Sequence, residues 1–102
     1  MSKDLTDLYQ IRFEREFLPR KLAIWEVLCR SYFQTFIEKD ATVVDVACGY
    51  GEFINHIKAA NKIAVDLNAE SRDRLHPEVE FHQISAERVS SIGAHRADVV
   101  FT

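Results

Sequence analysis

The sequence predicts an α/β fold of three layers, in which N-terminal helices precede a parallel sheet of about four strands with helices on both of its faces. Residues 5–39 carry apolar side chains at intervals of three and four, which is typical of amphipathic helices. From Thr42 onward, short apolar runs alternate with helical or loop segments. This alternation indicates strand–helix–strand units, whose strands are parallel.

The composition fits one small globular domain. Of the 102 residues, 47% are hydrophobic and 28% are charged, as in average folded proteins. The net charge of −3 argues against a nucleic-acid partner, which would need clustered Lys and Arg. Because the chain has no apolar signal segment and no run approaching the ~20 residues of a membrane span, we expect a cytoplasmic protein without a membrane partner. The two cysteines lack CxxC or ligand spacing, so we expect neither a disulfide framework nor a metal site.

Residues 1–40 are predicted to form a helical segment. Apolar positions of a first helix are Leu5, Leu8, Tyr9, Phe13 and Phe17. Pro19 is expected to interrupt this helix and to begin a second one. A continuous apolar stripe of the second helix comprises Leu22, Trp25, Leu28, Cys29, Tyr32, Phe33 and Phe36. A stripe of this length is expected to pack on a large surface.

Residues 41–102 are predicted to form the sheet. Its candidate strands are Val43–Ala47, Ile63–Asp66, Val79–His82 and Asp98–Phe101. The first and last of these runs lack polar/apolar alternation, as expected for strands that are covered on both faces. A helix over Glu52–Ala60 is predicted to connect the first two strands.

A glycine-bearing turn follows the first predicted strand. Gly49 and Gly51 are two of only three glycines in the chain. Glycine lets a backbone approach a ligand closely and adopt a positive φ. A plain turn between a strand and a helix is the alternative, but a glycine turn in this position is typical of nucleotide sites.

Spacing and charge favour a cationic ligand over a dinucleotide. A dinucleotide fingerprint that starts at Gly49 would need a small residue at the position of Ile54. Glu52 would compete with a pyrophosphate for the amides at the start of the predicted helix. A turn flanked by Asp45 and Glu52 suits a cation instead. An NAD-dependent oxidoreductase is therefore the less favoured interpretation.

The run Asp45-x-Ala47-x-Gly49-x-Gly51 resembles motif I of the class I, Rossmann-like S-adenosylmethionine-dependent methyltransferases, which is usually acidic-x-Gly-x-Gly-x-Gly. Ala47 replaces the first glycine. The resemblance implies that S-adenosylmethionine is the cofactor and that this loop, with Tyr50, wraps its methionine part. The family's sheet has more strands than this chain offers, so residues 41–102 are expected to be the first half of that domain, truncated after the fourth strand.

The same resemblance implies further cofactor contacts near the ends of later strands. Asp66 would accept both ribose hydroxyls, and Leu67 would lie beside the adenine. Ser85 and Ala86, after the third strand, would touch the adenine, and Thr102 would border the cofactor. The alternatives are a turn-forming or capping role for Asp66 and a helix cap for Ser85.

Two residues of the first helix are weaker candidates. In similar enzymes an N-terminal helix folds over the cofactor, and Tyr9 and Arg12 would then donate to its carboxylate. A pair on a helix surface that only packs and is solvated is the alternative.

The resemblance implies methyl transfer to a small-molecule or saccharide-type acceptor. No catalytic residue is assigned, because positioning alone supplies much of the acceleration in such a reaction. An inactive cofactor-binding fragment, or a subunit that needs strands from a partner, is the alternative. The apolar edge of Val99–Phe101 would then mediate a homodimer or a strand-exchanged assembly.

Overall fold

A computed structural model describes residues 11–93 and 97–102. The helix α1 spans Leu18–Ser31, with the π-helical turn Phe13–Phe17 before it and the 3₁₀ turn Phe33–Phe36 after it. The strands are β1 (Thr42–Val46), β2 (Asn61–Val65), β3 (Val79–His82) and β4 (Val99–Phe101). Two further 3₁₀ turns span Ala69–Arg74 and Ala86–Ile92. No helix in the described part of the chain is long and apolar enough to cross a membrane.

All strand pairs are parallel, and the strand order is β3-β2-β1-β4. The chain first builds from β1 to β3 in one direction and then returns to the other side of β1, so the order reverses between β1 and β4. Ligands of open α/β sheets bind outside the carboxyl ends of the strands at such a reversal. The predicted fold class is confirmed, and this order is that of the first half of a Rossmann-like sheet.

The sheet is covered on both faces. On one face, buried Val43 and Ala64 pack with residues of α1 and of the segment that follows β1. On the opposite face, buried Val44 and Val65 pack against apolar side chains of the turn Ala86–Ile92 and its neighbours. Strands buried from both sides explain the absence of alternation in their sequences.

Pro19 does not interrupt the helix, contrary to the prediction. Residues 11–31 are helical throughout, and Pro19 lies in the first turn of α1. The predicted start of a helix at Pro19 is confirmed, since the fixed φ of proline suits the first turn of α1. The preceding turn, Phe13–Phe17, is π-helical, so a wider turn joins the two parts instead of a break.

The predicted apolar stripe is divided between the core and the surface. Trp25 and Phe33 pack on the core, and their rings contact Phe101 at the end of β4. Tyr32 and Phe36 are exposed instead. Because α1 ends at Ser31 and a tighter 3₁₀ turn follows, Tyr32 and Phe36 lie outside the helical stripe, whereas Phe33 stays packed. The prediction of one continuous packed stripe is therefore wrong.

The segment between β1 and β2 is not the predicted helix Glu52–Ala60. Residues 51–56 form successive turns, with one α-type bond from the Asn55 N–H to the Gly51 carbonyl and one 3₁₀-type bond from the His56 N–H to the Phe53 carbonyl. The Asn55 side chain bonds outside the segment, donating to the Arg74 carbonyl and accepting from the His76 N–H. A side chain that bonds to distant backbone competes with local helix formation. A helix as short as the one predicted here is also only marginally stable by itself.

Candidate functional site

The carboxyl ends of β1 and β2 bring the glycine turn and Asp66 together. The Gly49 N–H donates to one oxygen of the Asp66 carboxylate at 2.9 Å, and the Asn68 N–H donates to the other at 2.9 Å. The carboxylate is thereby fixed between the turn and the segment that follows β2. Each carboxylate oxygen retains a further lone pair, so Asp66 can also accept hydroxyl donors from a ligand.

Two adjoining cavities open beside this carboxylate. The smaller, of about 190 Å³, is lined by Gly49, Tyr50 and Asp66 together with residues of the turn Ala69–Arg74. The larger, of about 680 Å³, shares Tyr50, Glu70 and Arg74 with it. Together they offer the concave space that a small molecule needs, with a carboxylate and backbone amides to orient it.

The two glycines of the turn have different roles. Both have a positive φ, +57° at Gly49 and +77° at Gly51. A Cβ on Gly49 would meet nothing closer than the Glu52 Oε2 at 3.8 Å, so this position is open. A Cβ on Gly51 would lie 2.6 Å from the Asn55 Nδ2 and 2.9 Å from the Leu75 Cδ2. Gly51 is therefore required by packing inside the turn, and Gly49 is the glycine that leaves the turn accessible.

Ala47, at the start of the turn, adopts a backbone conformation that favours glycine. Its φ is 61°, in the left-handed region, and its side chain is exposed. An L-residue in this region is strained by about 1–2 kcal/mol. A glycine at this position would be free of that strain.

Ala47→Gly is expected to raise the free energy of unfolding by about 0.5–1 kcal/mol, because relief of the strain exceeds the added entropy of an unfolded glycine. Chemical denaturation measures the change. Ala69→Gly is the matched control, since Ala69 is also exposed but has an ordinary φ and should lose stability. Equal changes of the same sign in both variants would show that Ala47 is unstrained.

Asp45 lies on β1 beneath the turn and is only 2% exposed. Burial, with smaller contributions from Glu52 and Asp66, raises the pKa of its carboxyl to about 7, although a hydrogen bond from the Ile54 amide opposes the rise. Its Oδ2 has no hydrogen-bond partner among the residues that the structure describes. The carboxyl is thus held in a proton-binding environment under the turn.

Neither cysteine has the properties of a nucleophile. Burial, reinforced by the charge of Asp45, raises the pKa of the Cys29 thiol to about 11 and that of the Cys48 thiol to about 12. Both thiols therefore stay protonated near neutral pH, and the thiolate is the reactive form. Within residues 11–93 and 97–102, no cluster of His, Cys, Asp or Glu side chains could hold a metal ion.

Two ion pairs fasten the N-terminal helix over the turn. Lys21 of α1 lies 2.9 Å from the Glu52 carboxylate, and Arg74 lies 3.1 Å from that of Glu14. The Arg74 guanidinium also stacks 4.4 Å from the centre of the Tyr50 ring. The sequence reasoning missed Arg74, since its partner is 60 residues away and no local pattern marks such a pair.

Of the predicted cofactor contacts that the structure describes, only Gly49, Tyr50 and Asp66 line the cavity beside Asp66. Asp45, Ala47 and Gly51 lie in β1 or in the turn but do not line it, and neither do the four contacts predicted near the ends of later strands. Leu67 follows Asp66 and is 69% exposed, with its carbonyl bonded to the Gln83 side chain. Ser85 caps the turn Ala86–Ile92 by position but makes no side-chain capping bond, and Ala86 is exposed. Thr102 is exposed just beyond β4. These residues follow the carboxyl ends of β2, β3 and β4.

Of the two N-terminal candidates, only Arg12 can be placed. Its guanidinium contacts the carboxylate of Glu16 at 3.3 Å, one helical turn away, and both side chains are largely exposed. It lines neither cavity. Tyr9 lies outside the described residues.

Comparison of the chain with protein-family models, curated proteins and solved structures finds no match.

Proposed function

We propose that this chain is the cofactor-binding part of an S-adenosylmethionine-dependent methyltransferase with a small-molecule or saccharide-type acceptor. One observation carries the proposal: the Asp66 carboxylate is fixed 2.9 Å from the Gly49 amide at the carboxyl end of β1. In parallel α/β sheets this edge receives nucleotides, and an acidic side chain after the second strand accepts the ribose hydroxyls. The accessible Gly49 and the adjoining cavities support a ligand at this place.

The charges around the turn favour a cationic adenosyl compound. Asp45, Glu52 and Asp66 interact there, as the raised pKa of Asp45 reflects. The nearby Lys21 and Arg74 are engaged by Glu52 and Glu14. A pyrophosphate would therefore meet carboxylates, whereas the ammonium and sulfonium of S-adenosylmethionine are complementary to them. This arrangement supports the methyltransferase over an NAD-dependent oxidoreductase.

In the proposed reaction, the side chains of this chain bind and orient the cofactor. When bound, the cofactor would supply an electrophilic methyl group for transfer to the acceptor. Asp66 and the amides of the turn would fix the adenosyl part, so that the reactants meet at near-attack distance. No residue is assigned as an acid or a base. We also assign the protein to the cytoplasm, a reducing compartment in which Cys29 and Cys48 would remain free, as they are in the structure.

Calorimetric titration tests the assignment. We expect S-adenosylhomocysteine to bind with a micromolar or weaker Kd, and Asp66→Ala to lower the affinity about 100-fold or more, since two charge-assisted hydrogen bonds are lost. Asp40→Ala, an exposed acid far from the turn, is the control and should bind as the parent does. Parental affinity in a folded Asp66→Ala variant would refute the ribose assignment. Binding of NAD in preference to S-adenosylhomocysteine would support the oxidoreductase instead.

The second candidate is a cofactor-binding subunit that another copy of the chain completes. β4 is an edge of the sheet, and Val100 in its centre is 58% exposed. An apolar edge strand of this kind is a template for pairing with another chain. We therefore propose that this candidate forms a homodimer or a strand-exchanged assembly through β4.

Light scattering is expected to give twice the chain mass if β4 pairs with a second copy, and Val100→Lys is expected to restore the single-chain mass, because a lysine on an edge opposes strand pairing. Val27→Lys, on the exposed side of α1, is the matched control and should not change the mass of the assembly. A single-chain mass for the parent would contradict this candidate and leave the first one in place.

A further inference from the structure

We propose that Asp45 distinguishes the cofactor, which has a net positive charge, from its product, which has none, by releasing its carboxyl proton when a cation binds at the turn. The inference rests on the proposed function above. S-adenosylmethionine has a sulfonium charge that S-adenosylhomocysteine lacks. A carboxyl that ionises on binding would favour the first compound over the second, and it would do so more strongly as the pH rises.

The geometry around Asp45 leaves the carboxylate form unsatisfied. The side chain is 2% exposed, and its Oδ2 accepts no hydrogen bond from the described residues. A buried carboxylate without full compensation is unfavourable, so this environment favours the neutral acid. The residue lies in β1 two positions before Ala47, so the turn that would hold the ligand begins directly above it.

No described cation pairs with Asp45. In addition to burial, the charge of Asp45 acts on the Cys29 thiol of α1 and on the Cys48 thiol of the turn after β1, and raises the pKa of both. Glu52 on the next segment and Asp66 at the end of β2 contribute like charge. The nearest lysine on α1 contacts Glu52 instead, at 2.9 Å. Every titratable neighbour is thus an acid or a neutral thiol, and a ligand cation would be the missing counter-charge.

This environment places the pKa of Asp45 near neutral pH. Burial first, then Glu52 and Asp66, raise the pKa of Asp45 to about 7, so about half of the carboxyls carry a proton at neutral pH. A cation at the turn stabilises the ionised form and expels the proton. By linkage, the affinity for that cation must rise with pH over the same range. A ligand without net positive charge gains little from the ionised form.

Two histidines could imitate this behaviour. His56 and His76 line the larger cavity, so their contribution to a pH dependence of binding has to be separated from that of Asp45. A dependence that originates in either histidine would persist in Asp45→Asn. One that originates in Asp45 would disappear in this variant, which keeps the shape of the side chain and removes the titration.

The test is calorimetry of the full chain with each compound at pH 5.5 and 8, repeated in buffers of different ionisation enthalpy. From pH 8 to 5.5 the affinity for S-adenosylmethionine should fall about 30-fold, and that for S-adenosylhomocysteine about threefold or less. Near pH 7, about half a proton should be released with S-adenosylmethionine.

Both the pH dependence and the proton release should vanish in Asp45→Asn and persist in Asp40→Asn. Glu52→Gln should move the midpoint to lower pH, because one like charge is removed.

The outcomes separate the two proposals. If both compounds bind with a ratio that is independent of pH and without proton release, the role of Asp45 is refuted and the cofactor assignment stands. If neither compound binds at either pH, the proposed function fails and this inference fails with it. If Asp45→Asn does not fold, the proton release of the parent and the shifted midpoint of Glu52→Gln decide the question.

Discussion

Gly51→Ala is expected to lower the free energy of unfolding by about 3 kcal/mol, a large part of the stability of so small a domain. The new Cβ would lie 2.6 Å from the Asn55 Nδ2 and 2.9 Å from the Leu75 Cδ2. The φ of +77° adds strain, since an L-residue is unfavourable in the left-handed region. The turn must therefore shift or lose its contact with the segment that follows β2.

Asn55 cannot move aside without further loss. Its Nδ2 donates to the Arg74 carbonyl and its Oδ1 accepts from the His76 N–H, both at 2.9 Å. Gly49→Ala is the matched control, because it has the same φ strain in open space and should cost only about 1–2 kcal/mol. Urea denaturation compares the two variants. Equal losses would show that Gly51 is not packed as described.

The second large effect is a fall in stability with rising pH. The pKa of Asp45 is raised from 3.8 to about 7 in the folded state, so the folded protein binds the proton more tightly than the unfolded chain does. Its contribution is fully present below about pH 3.8 and is lost as the pH rises through 7. The shift corresponds to about 4 kcal/mol between pH 4 and pH 8.

Asp45→Asn isolates this contribution. Parent and variant share every other ionisable group, so the difference between the two proteins is the quantity to compare. Emission of the single tryptophan reports unfolding, since Trp25 lies 6.0 Å from the rings of both Phe33 and Phe101 in the core. We expect the difference in unfolding free energy to change steadily in favour of the variant from pH 4 to pH 8. A difference that is constant with pH would mean that Asp45 is not held in a proton-binding environment.

Features that depend on local pattern were predictable from the sequence. β3 spans Val79–His82, as predicted, and the other strands agree within two residues at each end. The meeting of Gly49 and Asp66 was also predictable, because the carboxyl ends of neighbouring parallel strands lie at one edge of a sheet. The open glycine and the fixed carboxylate are both products of that arrangement.

Features that depend on contacts between distant residues were not predictable. The bond between Arg74 and Glu14 links segments 60 residues apart. The packing role of Gly51 is set by Leu75 on a later segment, and the bonds of Asn55 replace the helix that the local pattern favours. Burial of Asp45 likewise depends on how α1 and the turn close over β1. A periodic pattern gives the face of an element but not the partner of each side chain.

The most direct test of ligand binding at the turn uses the two backbone amides that donate to the Asp66 carboxylate. Gly49 and Asn68 each donate to it at 2.9 Å. In an isotopically labelled chain titrated with S-adenosylhomocysteine, the amide resonances of both residues are expected to shift together and to saturate with one Kd. The amide of Lys58, at the opposite edge of the sheet, should stay in place. If Gly49 and Asn68 do not shift at saturating ligand, no adenosyl compound binds at this turn.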